Sequence, residues 1–105
     1  MIKISFVIPA HNEEDRIGAC LEAIQKEIVR TIDPATGQPV ATEVLVVNNV
    51  STDKTKEIAL QYAGVRVVDE HNKGLVWARQ GGHVASTGEL VANIDADVLV
   101  PQGGL

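Results

Sequence analysis

The sequence predicts a three-layer α/β/α domain around a mostly parallel sheet, in the order β-α-β-α-β-α-β. Three observations carry this expectation. Short, nearly continuous runs of Val, Ile and Leu alternate with longer stretches that have helical spacing. The runs are separated by segments containing Pro, Asn, Asp or Gly. Aromatic residues make up 3% of the 105 residues against 45% hydrophobic residues in all, so the core is aliphatic, and Val and Ile favour buried strands. Strands that alternate with helices imply parallel pairing, because each crossover lays its helix on a face of the sheet.

The first run, Ile2 to Ile8, is stopped by Pro9 and reads as a buried strand. Asn12 is placed to cap the helix that follows, with Glu13, Glu14 and Asp15 in its first turn, where carboxylates suit the helix dipole. Ile17, Leu21, Ile24 and Ile28 recur at helical spacing. Cys20 lies on the same apolar side and, as the single cysteine, reads as a small buried hydrophobe. Thr31 to Thr42 contains Asp33-Pro34, Gly37 and Pro39 and reads as a long loop.

Glu43 to Val47 is the second expected strand, with Asn48-Asn49 as its turn and Ser51 or Thr52 as the cap of a helix running to Tyr62 or Ala63. Gly64 closes that helix, Val65 to Val68 forms a third strand, and Asp69 to Lys73 is a polar loop. Gly74 to about Ser86 reads as a third helix with Leu75, Ala78, Gly82 and Ala85 on one face. Gly81-Gly82 costs that helix roughly 1 kcal/mol per residue relative to Ala, which close packing on the sheet would offset. Leu90 to Ile94 is the fourth strand. Residues 1–105 read as one domain without internal repeats or low-complexity segments.

The formal net charge is -5. That composition lacks a basic footprint and excludes nucleic acid as the expected partner. An acidic protein still binds an acidic nucleotide when a divalent cation lies between them. No apolar run approaches the length of about 20 residues that spans a bilayer, and no leader pattern is visible. The expectation is a cytoplasmic protein without a transmembrane segment, which leaves peripheral membrane association open.

Open parallel sheets bind ligands beyond the carboxyl ends of their strands. Here those ends carry His11-Asn12-Glu13, Asn48-Asn49, Asp69-Glu70 and Asp95-Ala96-Asp97, which predicts one polar crevice along a single edge. Asp95 and Asp97 are two carboxylates at a strand end that can converge on one hard cation, Mg2+ or Mn2+. Such a cation would hold a diphosphate.

The blocks themselves resemble those of family 2 glycosyltransferases. Ser5-Phe6-Val7-Ile8-Pro9-Ala10-His11-Asn12-Glu13-Glu14 is similar to the family's opening strand and its Pro-Ala-Tyr-Asn-Glu-Glu turn. Val46-Val47-Asn48-Asn49-Val50-Ser51-Thr52-Asp53-Lys54-Thr55 resembles its second block, usually Val-Asp-Asp-Gly-Ser-Thr-Asp-x-Thr. Asn72-Lys73-Gly74, Ala78-Arg79 and Ala85-Ser86-Thr87-Gly88-Glu89 resemble the third, and Asp95-Ala96-Asp97 takes the place of the metal-binding aspartates. The blocks follow family order over nearly the whole chain.

The resemblance implies a GT-A fold and inverting transfer of a sugar from a nucleoside-diphosphate sugar to an acceptor hydroxyl. It implies nucleotide contacts from Pro9, Ala10, His11, Asn12, Glu13, Asn49, Lys73, Arg79, Asp95 and Ala96, and a metal on Asp97 helped by Asp95. His11 replaces the aromatic residue that stacks on the base, and Asn49 replaces an acidic base-reading residue with an amide. Val50 replaces the glycine of the turn. Asp53 and Thr55 are expected to serve the helix start. Glu13 and Glu14 are read either as helix-start carboxylates or as backbone or ribose contacts. His83 is read as structural or exposed, Trp77 as a packing residue, and His71 as a loop residue that could line the crevice.

The catalytic base and acceptor site are expected beyond Leu105. The 105 residues are therefore expected to be truncated after the fourth strand, to bind nucleotide without transferring sugar, and to self-associate through uncovered apolar surface. A non-catalytic nucleotide-binding remnant is the nearest rival. A receiver-like Mg2+-binding signalling domain fits less well, because a lone Asp after the third strand and a later Lys are missing. A dinucleotide-binding domain is excluded by the absence of glycine in Pro9-Ala10-His11-Asn12-Glu13-Glu14.

Overall fold

The computed structural model describes residues 4–30 and 32–94. Its elements are β1 (Ile4–Ala10), α1 (Ile17–Arg30), β2 (Thr42–Asn49), α2 (Thr55–Leu60), β3 (Val65–Glu70), α3 (Leu75–Ala85) and β4 (Leu90–Asn93). All pairings are parallel, and the strand order is β3-β2-β1-β4. The predicted alternation of strands and helices is what the chain forms.

Period-two alternation assigns the two faces of the sheet. Phe6, Ile8 and Ala10 of β1 and Val44 and Val46 of β2 pack against Ile17, Cys20, Leu21 and Ile24 of α1 and Ala59 of α2. Val7, Leu45 and Val47 point the other way and pack against Ala78 of α3. Two helices therefore cover one face and α3 covers the other, which gives the three layers.

Several boundaries differ from the sequence expectation, each for a local reason. α1 begins at Ile17, and Asn12 does not cap it. Asn12 takes φ 52° and turns toward the loop after β2, so the first helical bond runs from Ile17 N–H to Glu13 O at 2.8 Å. β2 continues through Asn48 and Asn49, which pair with β3 at Asp69 and Glu70. α2 starts only at Thr55, without a side-chain cap from Ser51 or Thr52. The long loop contains a small antiparallel bridge between Ile32 and Pro39, and Asp33 O accepts from Gly37 N–H at 2.8 Å inside it.

α3 lies close to the sheet because Gly82 has no side chain. A methyl group there would overlap the Val7 side chain and sit 3.0 Å from Val47 Cγ2. This is the compensation expected for glycine in a helix. Leu75, expected on the same inward face, is 50% exposed instead. At the opposite end of α3 a polar cluster anchors the crossover to β4. Ser5 Oγ donates to Glu43 Oε1 at 2.6 Å, and Thr87 N–H donates to the same oxygen at 2.6 Å. Gly88 N–H donates to Ser5 Oγ at 2.8 Å. Burial pushes the Glu43 carboxyl up, but bonds from Ser5 and Thr87 and the charge of Arg66 outweigh it and hold Glu43 below the usual carboxylate range.

Gly82→Ala is expected to destabilise the chain by about 1–3 kcal/mol despite its better helix propensity, read as a lower urea midpoint. Glu43 is harder to protonate folded than unfolded, so its contribution is complete above its unfolded value of 4.5 and is lost as pH falls through the lowered folded value. Glu43→Gln should therefore be less stable than the parent chain at pH 7, with the gap narrowing toward pH 3 in paired denaturation curves.

Candidate functional site

Parallel pairing brings the carboxyl ends of all four strands to one edge. The order β3-β2-β1-β4 adds a topological switch between β1 and β4. From β1 the chain steps outward through α1 and α2 on one face, then returns over the other face through α3 to place β4 beside β1. In open α/β sheets the ligand crevice forms at such a switch, beyond the carboxyl ends of the strands. Ile94, the last described residue, donates its N–H to Val7 O at 2.9 Å, so the chain leaves the described sheet next to β1. Asp95, Ala96 and Asp97, the sharpest sequence expectation, lie outside the described residues. Among the described residues no group of three His, Cys, Asp or Glu side chains could hold a metal ion.

On this edge the loop after β1 is laced to the loop after β2. Asn12 N–H donates to Ser51 Oγ at 3.1 Å, and Asn12 Oδ1 accepts from Thr52 N–H at 2.8 Å. Glu13 N–H donates to the buried Thr55 Oγ1 at 2.8 Å. Glu14 N–H donates to Asp53 Oδ2, and Glu14 Oε2 accepts from Lys54 N–H, each at 3.2 Å. Asp53 Oδ1 also accepts from Thr55 N–H at 2.9 Å, in agreement with the helix-start role expected for that pair. Burial raises the Asp53 carboxyl, but the Thr55 hydroxyl and the N–H groups of Thr55 and Glu14 outweigh it, so Asp53 sits below its ordinary value.

His11 is exposed, and its Nδ1 lies 2.7 Å from Asn49 O. A carbonyl only accepts, so Nδ1 carries the proton. In the neutral ring Nε2 is then an acceptor. The ring is thereby held by its inner nitrogen, while Nε2 accepts a long bond from Asn12 Nδ2 at 3.5 Å.

The structure redistributes the other expected site residues. Ala10 is 2% exposed and packs in the core with α1, so only its backbone reaches the edge. Pro9 is half-buried beside Val47. Glu13 Oε2 faces Arg16 Nε at 2.9 Å. Lys73 and Arg79 are exposed, at the end of the β3–α3 loop and in α3. Trp77, read from the sequence as a packing residue, is 49% exposed.

Asn49 departs most from expectation. It is 3% exposed, and its side chain is bonded to the loop after β3 instead of facing outward. The reason is its parity along β2: it points to the α3 face together with Leu45 and Val47. Asn48 points to the other face, where its Nδ2 donates to Asp69 Oδ1 at 3.0 Å. Asp69 also takes Lys56 Nζ at 2.8 Å, and these two bonds hold it below its usual range. Neither asparagine's anchoring bonds were legible in the sequence, since they depend on strand parity and loop position.

The Glycosyl transferase family 2 model matches residues 5–105. The uncharacterized glycosyltransferase YibD of Escherichia coli (strain K12) is 34% identical over 99 residues, covering 90% of this chain and 26% of that protein. Glucosyl-3-phosphoglycerate synthase from Mycobacterium tuberculosis, solved in complex with Mn2+, UDP and glucosyl-3-phosphoglycerate, superposes with a TM-score of 0.72 at 29% identity. That match covers 96% of this chain and 36% of the other. TarS 1-349 from S. aureus in complex with UDP gives a TM-score of 0.75 at 26% identity, over 91% of this chain and 28% of the other. The chain thus spans about a quarter to a third of the proteins it matches.

Val50, where the family block has glycine, adopts φ 57°. A β-branched residue in the left-handed region costs roughly 1–2 kcal/mol. Relief of that strain exceeds the added unfolded-state entropy of glycine, so Val50→Gly is expected to raise stability by up to about 1 kcal/mol. A thermal melt at pH 7 checks the sign.

Proposed function

The chain belongs to glycosyl transferase family 2 and has a GT-A fold, and from that premise we propose that it is the nucleotide-sugar-binding part of an inverting glycosyltransferase. The reaction class is transfer of a sugar from a nucleoside diphosphate to an acceptor hydroxyl. The observation that carries the reading is the switch between β1 and β4, which sets His11-Asn12-Glu13 beside the strand that leads into Asp95-Ala96-Asp97. The UDP complexes of the two matched structures support a nucleotide ligand, and the Mn2+ complex supports a divalent metal.

In this reading His11 lies with its ring face against the base, held edge-on by Asn49 O at Nδ1 and Asn12 Nδ2 at Nε2. The main chain of Pro9 and Ala10 lines the floor. Asn12 and Glu13 hold the rim by their bonds to Ser51, Thr52 and Thr55. Lys73 and Arg79 supply positive charge toward the diphosphate from the α3 side. Asp95 and Asp97 are hard oxygen donors suited to Mg2+ or Mn2+, with Ala96 between them at the nucleotide. A cation held there would neutralise charge growing on the departing diphosphate. The general base and the acceptor site belong to the larger part of the domain that the relatives have in addition. The chain by itself binds nucleotide and transfers no sugar.

Calorimetric titration with UDP, CDP and GDP, with and without Mn2+, tests the site. Binding is expected to weaken by at least about tenfold when the metal is chelated or when Asp97 is replaced by Ala. Metal-independent binding that survives Asp97→Ala would remove the proposed cation site. The reading also includes self-association, supported by Val76 and Val84 on α3, which are 75% and 77% exposed beside the half-exposed Trp77. Light scattering should show a mass above the monomer at high concentration, and a monomer throughout would count against it.

A further inference from the structure

One buried residue touches the loop after β3 with its side chain and the loop after β1 with its main-chain carbonyl. Asn49 Oδ1 accepts from Gly74 N–H at 2.8 Å. Its Nδ2 donates to Asn72 O at 2.8 Å and to Glu70 O at 3.3 Å. Its main-chain oxygen takes the bond from His11 Nδ1. A primary amide has two N–H donors and a carbonyl acceptor, and this site engages all three. The segment held this way, Glu70 to Gly74, includes Lys73 and runs into the first turn of α3, and Gly74 there has φ 134°.

We propose that Asn49 is a positioning residue for nucleotide binding, its side chain clamping the β3–α3 loop instead of reading the base. The proposal rests on the nucleotide-binding role of this edge. It requires an amide. A carboxylate at position 49 still accepts from Gly74 N–H, but it has no donor for the carbonyls of Glu70 and Asn72 and would face both with negative charge. The Asn-Asn of this chain is therefore a different solution from an acidic pair: the second residue serves the loop, and base selection falls to groups that reach the crevice.

Two variants, Asn49→Asp and Asn49→Ala, test this with two readouts. The first is hydrogen exchange at the Gly74 amide in Asn49→Ala, compared with the Val46 amide in the core of β2. Exchange at Gly74 is expected to rise by at least roughly tenfold while Val46 changes far less, since only the local clamp is lost. The second is titration of both variants with UDP, CDP and GDP in the presence of Mn2+. All three affinities are expected to fall in parallel by roughly tenfold, the size usual when a group that orients a binding residue is removed. An unchanged Gly74 amide overturns the clamp. A change in preference among the three nucleotides in Asn49→Asp overturns the positioning role, because it places residue 49 at the base itself. A parent chain that binds none of the three ends the nucleotide reading and the positioning role with it, whereas the Gly74 amide still decides whether the clamp exists.

Discussion

Reciprocal bonding between the loops after β1 and β2 is the constraint on which the rest of this edge depends. Each loop supplies both side-chain acceptors and backbone donors: Asn12 and Glu14 accept from Thr52 and Lys54, while Ser51, Asp53 and Thr55 accept from Asn12, Glu14 and Glu13. Single bonds of this kind contribute about 0.5–1.5 kcal/mol net. Arranged in one ladder they satisfy backbone groups that neither helix start could satisfy alone. The price is visible in the backbone, where Asn12 and Val50 both occupy the left-handed region. Asparagine adopts that conformation readily, and valine does so only under strain.

The second constraint is the return path of α3. Its approach to the sheet is set by Gly82 against Val7 and Val47, and its far end is tied down by Ser5 and Glu43 acting on Thr87 and Gly88. Without that path β4 has no reason to lie beside β1. The strand order, and with it the topological switch between β1 and β4, follows from how α3 is seated. Packing at one end of the sheet thus determines which strand ends meet at the other.

Electrostatics at the edge are gentler than the count of acidic residues suggests. Asp69 is paired with Lys56 and Glu13 with Arg16, while Asp53 keeps its charge and is held by the N–H groups of Thr55 and Glu14. Asn48 and Asn49 add no charge. An edge with two cation-paired carboxylates, exposed Lys73 and Arg79 and a histidine held by its inner nitrogen is compatible with an anionic ligand in a chain of net charge -5.

The sequence by itself determined the element order, the parallel sheet, the aliphatic core and the family, because hydrophobic period, turn residues and ordered blocks are local properties. Helix starts were misplaced by those same local rules: Asn12, Ser51 and Thr52 have the chemistry of caps but find better partners in each other across the gap between β1 and β2. Only the tertiary structure decided the order β3-β2-β1-β4, the inward turn of Asn49 and the burial of Ala10. Each of these depends on which strand lies next to which and on the parity of a residue along its strand, and no window of neighbouring residues contains that information.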